Sequence, residues 1–215
     1  MNKNLLVNEL LTFQPDTKKI FLKDQRIILM EADSLGTLRK ELISSLGIDR
    51  AKGFLLRYGW QCGYNVATDL MKIFPRDDTM KWFETGPQFH EITGSVLVTM
   101  NELIYHPETG YYFAEGYWHH SYEAEQHIKN FDYHHEPVCF TLTGFAGGYV
   151  SKHLGRRVIF KEIKCAGKGD PYCHWVAKPE EDWGEEIANE LEYYEAKNLA
   201  LELEKAYHRI EAQKE

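Results

Sequence analysis

The stretch from Cys139 to Cys173, CFTLTGFAGGYVSKHLGRRVIFKEIKCAGKGDPYC, contains three of the four cysteines of the chain and decides the fold of its second half. Cys165 and Cys173 flank the loop AGKGDPY, whose two Gly and one Pro allow the backbone to turn tightly. Glu162 lies three residues before Cys165, in the strand-like run VIFKEIKC. Zinc binds thiolates and carboxylates in a tetrahedron, which four side chains would fill: Cys139, Glu162, Cys165 and Cys173. A site with no open position is structural, because it ties the metal into the fold.

Two other interpretations of these cysteines stay open from the residues alone. Free Cys is often buried as a small apolar side chain, and two of the three could instead form a disulfide beside a leftover thiol. The spacing does not match the paired C-x-x-C of standard zinc fingers. We assign Cys62, in the helix-like run LLRYGWQCGYNVATDL, to the hydrophobic core.

The composition of the chain is that of a soluble globular protein long enough, at 215 residues, to bury a substantial core. Its net charge of -8 argues against direct binding of nucleic acid. The N-terminus lacks the apolar run of a secretory signal, and no run approaches the length of a membrane span. Four cysteines without an extracellular signal favour a reducing cytoplasm.

The first 40 residues predict an N-terminal segment that needs another surface to pack on. The run LLTFQPDTKKIFLKDQRIILM has apolar stretches separated by Pro-Asp and Lys-Asp, which is typical of a pair of strands. So short a unit cannot bury its own faces and must pack on the main body or on a partner chain. Ser34 is predicted to cap a helix with one apolar face, formed by Leu35, Leu38, Leu42 and Leu46.

A second, longer helix is predicted from Asp49 to about Phe74. Three glycines recur along it at near-helical spacing, and we expect them to mark close packing against another element: Gly53, Gly59 and Gly63. A shorter helix is predicted in residues 75–93, broken at Gly86-Pro87.

The remaining body predicts an α+β fold with a mainly antiparallel sheet and flanking helices. SVLVTMNELIYH and GYYFAEGYWHH, joined by PETG, are typical of a hairpin. Two helix-like runs, SYEAEQHIKNF and VCFTLTGFAGGYVSKHLG, come next, and the strands RVIFKEIK and YCHWVAK close the body. The period of two places four residues of the second hairpin strand on one face: Tyr112, Ala114, Gly116 and Trp118.

Residues 182–215 predict a helix, since they contain no Pro, no Gly after Gly184 and many helix formers. Five residues follow the 3,4,3,4 spacing of a short coiled-coil seam: Ala196, Leu199, Leu203, Ala206 and Ile210. A solvated amphipathic helix would show the same spacing. The pattern reaches the last residue, which suggests a linker helix taken from a longer protein.

Most histidines are predicted to be solvated, because adjacent ones on a strand point to opposite faces and none has an i,i+4 partner: His119, His120, His127, His134, His135 and His174. His90 differs, because it follows an apolar stretch. It is either a hydrogen-bonded core histidine or the polar group of an apolar pocket. In the second case its imidazole and the indole N–H of Trp118 could together hold one hydroxyl group.

No motif of a catalytic site is present, neither G-x-S-x-G, nor H-E-x-x-H, nor a Gly-rich phosphate loop of standard spacing. We therefore expect that the protein is not an enzyme. Two further classes remain open, a small-ligand enzyme without a recognisable motif and a zinc-stapled dimerisation module without any ligand.

From about Phe13 to Glu185, roughly four-fifths of the chain, the sequence resembles a known family. The resembling pieces are DSLGTLRKELISSLGIDRAKGFLLRYGWQCG, GPQFH, FAEGYW, EPVCFTLTGFAGGYVSKHLGRRVIFKE, KCAGKGDPYC and KPEEDWG. The family is the N-terminal sensory domain, of the V-4-R type, of bacterial NtrC-type transcription activators that respond to phenols and xylenes. The resemblance implies zinc on the same four side chains and a phenol hydroxyl held by His90 and Trp118. It also implies a homodimer formed partly by the N-terminal segment.

These expectations divide the chain into a dimerisation segment (1–40), an aromatic-ligand-binding domain with a zinc lobe (41–181) and a linker helix (182–215). The resemblance implies that the linker leads to an ATPase domain and a DNA-binding domain. Ligand binding would relieve repression of the ATPase domain by favouring one of two arrangements.

Phenol or a substituted phenol is the expected ligand, because a buried polar group without a partner costs about 1–3 kcal/mol, and toluene or xylene would leave His90 without one. A sensor for such non-hydroxylated aromatics remains the alternative. Gly116 is expected to leave room for ring substituents, while Phe83 and Phe160 are expected to form walls of the pocket.

Overall fold

The computed structural model describes residues 11–22, 25–72, 79–196, 204 and 207–209. The helices of the main body are α1 (Ala32–Leu46), α2 (Ile48–Leu70), α3 (Thr79–Ile92), α4 (Tyr122–Phe131) and α5 (Phe140–Leu154). The strands are β1 (Leu11–Gln14), β2 (Lys19–Leu22), β3 (Gln25–Ile27), β4 (Leu97–His106), β5 (Tyr111–His119), β6 (Val158–Lys164) and β7 (Cys173–Pro179). This arrangement confirms the α+β fold with antiparallel sheets and flanking helices. No helix in these ranges is long and apolar enough to cross a membrane.

The strands form two antiparallel sheets, one small and one central. The central sheet has the order β4-β5-β7-β6, so the predicted hairpin β4-β5 forms one half and the two strands that flank the cysteine loop form the other. Along β5 every second residue is buried, as the sequence predicted, and these residues face the core. The small sheet has the order β1-β2-β3 and contains one strand more than predicted, because the polar run QRI also pairs with β2.

The central helices α2 and α5 cross at backbone-to-backbone contact. A Cβ atom built on Gly59 or Gly63 of α2 would lie 2.2 or 2.0 Å from a carbonyl oxygen of α5. Gly144 and Gly148 of α5 meet the carbonyls of α2 at 2.0 Å in the same way. The close packing predicted for Gly59 and Gly63 is confirmed. Gly53 instead lies near the C-terminal segment, with 3.4 Å from its Cβ position to the Tyr193 carbonyl.

Three predicted helix boundaries were wrong. Glu31 caps α1 rather than Ser34, and α2 begins directly after Gly47, whose φ of 78° only glycine adopts easily, rather than at Asp49. The predicted break at Gly86-Pro87 is absent, since α3 continues through both residues. Pro87 removes one hydrogen bond of α3, and contacts with α5 hold the helix in place, among them the hydrogen bond that the Tyr149 hydroxyl donates to the Trp82 carbonyl (3.1 Å).

The chain after β7 also differs from the continuous helix predicted for 182–215. It forms short turns, Gly184–Ile187, the single helical turn α6 (Ala188–Leu191) and Glu192–Tyr194, after which Glu195 is extended. Trp183 and Ile187 are buried on Ile159, and Arg57 donates to the carbonyls of Tyr193 (2.7 Å) and Glu195 (3.0 Å), which holds the turns on the body. Ala196 is not helical, and the other predicted seam residues lie outside the described residues: Leu199, Leu203, Ala206 and Ile210.

Candidate functional site

A cavity lies between helices α3 and α5 and the inner face of the central sheet. Its volume is about 40 Å³. Nearly all of its lining is apolar or aromatic: Phe83, Gly86, Pro87, His90, Val98, Met100, Leu103, Tyr112, Trp118, Phe145, Ala146, Tyr149, Val150, Phe160 and Trp175. A concave apolar space with few polar groups is typical of a small-molecule site.

His90 places a polar group in this cavity. The side chain is buried, and its Nε2 has no hydrogen-bond partner among the described residues. Its ring packs on Phe145, with ring centroids 4.5 Å apart. Burial lowers the pKa of His90 from 6.5 to about 4, so the imidazole is neutral at pH 7. A neutral imidazole can donate or accept one hydrogen bond at Nε2, depending on its tautomer.

The structure brings four of the five predicted pocket residues to the cavity. His90 and Phe83 come from α3, Trp118 from β5 and Phe160 from β6. Gly116 does not line the cavity, and the expectation that it leaves room for a ligand was wrong. A Cβ atom at Gly116 would lie 2.5 Å from Cζ2 of Trp175, so the missing side chain makes room for this indole ring instead.

Trp175 is a cavity residue that we did not single out from the sequence. It is buried on β7, packs on Phe160 with ring centroids 5.0 Å apart, and its Nε1 has no partner in the described part of the chain. The period of two along YCHWVAK carried the signal, because it places Trp175 on the same face as Cys173 and Ala177.

A second cluster lies at one end of α5, where the four predicted metal ligands meet. Cys139 precedes the first residue of α5, Glu162 belongs to β6, Cys165 follows β6 and Cys173 begins β7. All four are buried, and one candidate ligand atom from each lies within 4.8 Å of the others. The Sγ atom of Cys139 is 3.9 Å from that of Cys165 and 3.7 Å from that of Cys173, and the third sulfur pair is 3.8 Å apart.

The surroundings of the cluster favour negative charge on one of its sulfurs, that of Cys165. The backbone N–H groups of Val138 and Gly167 donate to the sulfur of Cys165, at 3.5 and 3.3 Å. Hydrogen bonds from the Cys139 and Cys173 thiols lower the pKa of Cys165 to about 2, while burial raises the pKa of Cys139. Three sulfurs and a carboxylate gathered within 4.8 Å in the protein interior could hold a metal ion.

Glu162 supports this interpretation. Its Oε2 accepts a hydrogen bond from the backbone N–H of Cys139 (3.2 Å), but its Oε1 is buried without a partner among the described residues. Burial raises the pKa of the Glu162 carboxyl well above its usual value. A buried carboxylate oxygen needs a hydrogen bond or a cation, and a metal ion at the three sulfurs would supply one.

A buried ion pair, which the sequence reasoning missed, anchors the same end of α5. Arg39 of α1 donates to Glu123 of α4 at 2.7 Å, and both side chains are nearly inaccessible to solvent. Glu123 also accepts from the backbone N–H groups of Thr141 (3.0 Å) and Leu142 (2.8 Å) in the first turn of α5. The carboxylate therefore caps the helix that begins at Cys139.

The predicted solvation of the histidines was wrong for His127. Its side chain is buried, it packs on Phe131 and His134 with ring centroids 5.3 and 5.6 Å away, and burial lowers its pKa to about 4. It shares the buried face of α4 with Glu123 and Ala124, a face that the helical period could have shown.

Two family models match successive parts of the chain. One, described as "Activator of aromatic catabolism", matches residues 7–106, and the other, described as the V-4-R domain, matches residues 118–179. The chain is 36% identical to the phenol regulator MopR of Acinetobacter guillouiae over 181 residues, which are 84% of this chain and 32% of that protein. It is 38% identical to the transcriptional regulatory protein XylR of Pseudomonas putida over 167 residues, 78% of this chain and 30% of that protein.

The fold also matches a solved structure, the phenol-responsive sensory domain of the transcription activator PoxR with phenol. The TM-score is 0.79 at 33% sequence identity, and the match covers 89% of this chain and 94% of that one. The chain thus spans about a third of the length of the curated relatives, and almost the whole of the solved domain.

Proposed function

This chain belongs to the family of sensory domains of activators of aromatic catabolism, and we propose that its cavity binds a phenol. The members to which it is similar are regulators and not enzymes. The chain accordingly acts as a ligand-sensing regulatory domain, and the ligand is the signal rather than a substrate.

The observation that carries this proposal is the Nε2 atom of His90, buried without a partner among the described residues in an apolar cavity. A phenol would supply the missing hydrogen bond with its hydroxyl and fill the cavity with its ring. Trp118 lines the same cavity, and its indole N–H can donate to the phenolic oxygen. Toluene or xylene would leave His90 unpaired at a cost of about 1–3 kcal/mol, so the site favours phenols.

The cavity must grow when the ligand enters. Its 40 Å³ are far less than the roughly 150 Å³ of an engineered apolar cavity that takes up benzene. The ligand therefore selects an expanded arrangement of the domain over the contracted one. In the full-length activator this shift would relieve repression of a downstream ATPase domain, which the segment 182–215 links to residues 41–181.

Zinc is the metal that best suits the cysteine cluster. Tetrahedral zinc with Zn–S bonds of about 2.3 Å separates its sulfurs by about 3.8 Å. The three sulfur distances of 3.9, 3.7 and 3.8 Å agree with this value. Cys139, Cys165 and Cys173 would provide the sulfurs and Glu162 the fourth ligand. With no open position, the ion would hold α5, β6 and β7 together without taking part in a reaction.

A homodimer is the proposed assembly, formed partly by residues 1–40. The side chains of β1 are exposed, among them Leu11 and Phe13 at 49% and 55%, and Leu29 is exposed at 77%. A second copy would cover these apolar side chains. Light scattering should give the dimer mass for the wild type and the monomer mass for Phe13→Glu with Leu29→Glu. A wild-type monomer at micromolar concentration would contradict the dimer. We also propose a cytoplasmic location, which suits reduced thiolate ligands.

The test of the ligand is calorimetric titration of phenol into the metal-loaded protein. Wild-type binding should be lost in His90→Ala and weakened in Trp118→Phe. The exposed His106, at the end of β4, gives a matched control, and His106→Ala should bind like the wild type. Binding of toluene as tight as that of phenol would contradict the role of His90. Absence of binding and of any thermal shift with phenol, cresols and xylenes would refute the sensory function itself.

A further inference from the structure

Trp175 lines the cavity, and its indole N–H is buried without a partner among the described residues. Trp183, which is buried in a separate apolar cluster with Ile159 and Ile187, shows what such a group requires. Nε1 of Trp183 donates to the carbonyls of Ile159 (3.1 Å) and Lys178 (3.2 Å). Trp175 has no such acceptor in the described part of the chain, although buried N–H groups almost always find one.

Gly116 leaves the space that the indole ring of Trp175 occupies. Because Gly116 has no side chain, the indole of Trp175 lies over the backbone of β5, and any Cβ atom there would be 2.5 Å from Cζ2 and 3.0 Å from Cε2. The atoms Cζ2 and Cε2 of the indole therefore lie against Gly116, and this contact fixes the orientation of the ring. Trp118 and Phe160 pack on the same indole, with ring centroids 5.9 and 5.0 Å away.

We propose that Trp175 determines which phenols the domain prefers, by donating a hydrogen bond from its indole N–H to a second acceptor atom on the ligand. His90 holds the phenolic hydroxyl, and Trp175 holds an oxygen-bearing ring substituent such as methoxy or a second hydroxyl. This inference rests on the proposed function, since it assigns a specificity to the same cavity. The favoured class is oxygen-substituted phenols over alkylphenols of equal size.

Methoxyphenols and ethylphenols provide the test, because they differ only in an oxygen in place of a methylene group. Without a donor beyond the groups that hold the phenolic hydroxyl, the more polar methoxyphenol should bind no better than its ethyl counterpart at any ring position. With the Trp175 bond, at least one of the three methoxyphenol isomers should bind roughly three- to tenfold tighter than the matching ethylphenol. In Trp175→Phe this preference should disappear while ethylphenol still binds.

Trp82 supplies the matched control. Its Nε1 is likewise buried without a partner among the described residues, but Trp82 is not part of the cavity lining. The variant Trp82→Phe should therefore keep the preference for the methoxyphenol. Loss of the preference in both variants would mean that repacking, and not the Trp175 N–H, decides it, and would overturn the proposal.

A measurement on the wild type covers the case in which Trp175→Phe does not fold. The chain has only five tryptophans, so the indole N–H signals are few enough to follow by NMR. The Trp175 signal should move downfield with the preferred methoxyphenol and much less with the ethylphenol. Equal affinities and equal shifts would refute the role of Trp175 and leave phenol sensing intact. No binding of any phenol would refute the sensory function, and the specificity with it.

Discussion

Replacing Gly63 by alanine should destabilise the domain, although alanine is the better helix former. In the interior of α2 the exchange alone would stabilise by about 1 kcal/mol. The new Cβ atom, however, would lie 2.0 Å from the carbonyl oxygen of Phe145, where an ordinary contact begins at 3.4 Å. Because this oxygen belongs to the backbone of α5, it cannot turn aside as a side chain could, and α2 and α5 must move apart. Overpacking of this kind costs about 1–3 kcal/mol or more, and we expect a net loss of about 2 kcal/mol.

Gly53 provides the control within the same helix. A Cβ atom there meets first the flexible guanidinium of Arg57 at 3.0 Å, and then the Tyr193 carbonyl at 3.4 Å. Gly53→Ala should therefore range from neutral to a gain of about 1 kcal/mol. In thermal denaturation of the metal-loaded protein, Gly63→Ala should lower Tm by about 4–8 °C, at roughly 2–4 °C per kcal/mol for this chain length.

The same change should also weaken ligand binding, because the Phe145 ring lies under His90 in the cavity. Phenol affinity should fall in Gly63→Ala and stay unchanged in Gly53→Ala. If the two variants shift Tm by the same amount and in the same direction, close backbone contact does not determine the cost, and the reasoning fails.

Three further predictions concern groups buried inside the domain. Removing the metal with a chelator should abolish the cooperative thermal transition, and zinc should restore it; an unchanged Tm after verified removal would contradict a structural metal. Because the pKa of His90 is about 4 in the folded state and 6.5 in the unfolded state, the unfolded chain binds more protons between these values. The contribution of His90 should thus be full above pH 6.5 and decline as the pH falls to 4, by about 3 kcal/mol in all; in His90→Gln the decline of the urea-unfolding free energy should be smaller by this amount, while the contribution of His127, whose pKa is also lowered to about 4, remains. Arg39→Met should cost about 3–5 kcal/mol in urea unfolding, because Glu123 remains buried without its cation, and adding Glu123→Gln should restore part of the loss.

The sequence predicted best those features in which chemistry and local spacing coincide. The candidate ligands Cys165 and Cys173 lie on either side of one tight loop, so their spacing predicted that the two sulfurs meet, and the period of two placed alternate residues of β5 on one face. Prediction from the sequence failed where two interacting residues are far apart in the chain. Arg39 and Glu123 are 84 residues apart, and isolated charges predict a solvated surface. Periodicity shows that Gly116 faces inward, but it cannot show that Trp175 occupies the space beside it.

Helix α3 is the part of the cavity wall that we expect to yield to the ligand, because the other walls are held by backbone contacts. The strands are held by their hydrogen bonds to one another, and α5 is held by its crossing with α2 and by the contacts of Glu123 and the buried cysteine cluster at its start. In contrast, α3 contains Pro87, which removes one of its own hydrogen bonds, and it is held to α5 by side chains. Trp82 stacks between Tyr149 and His153, with ring centroids 4.1 and 4.0 Å away. Stacked rings can slide without breaking backbone hydrogen bonds. A ligand that enlarges the cavity would therefore displace α3 while the cysteine cluster stays in place.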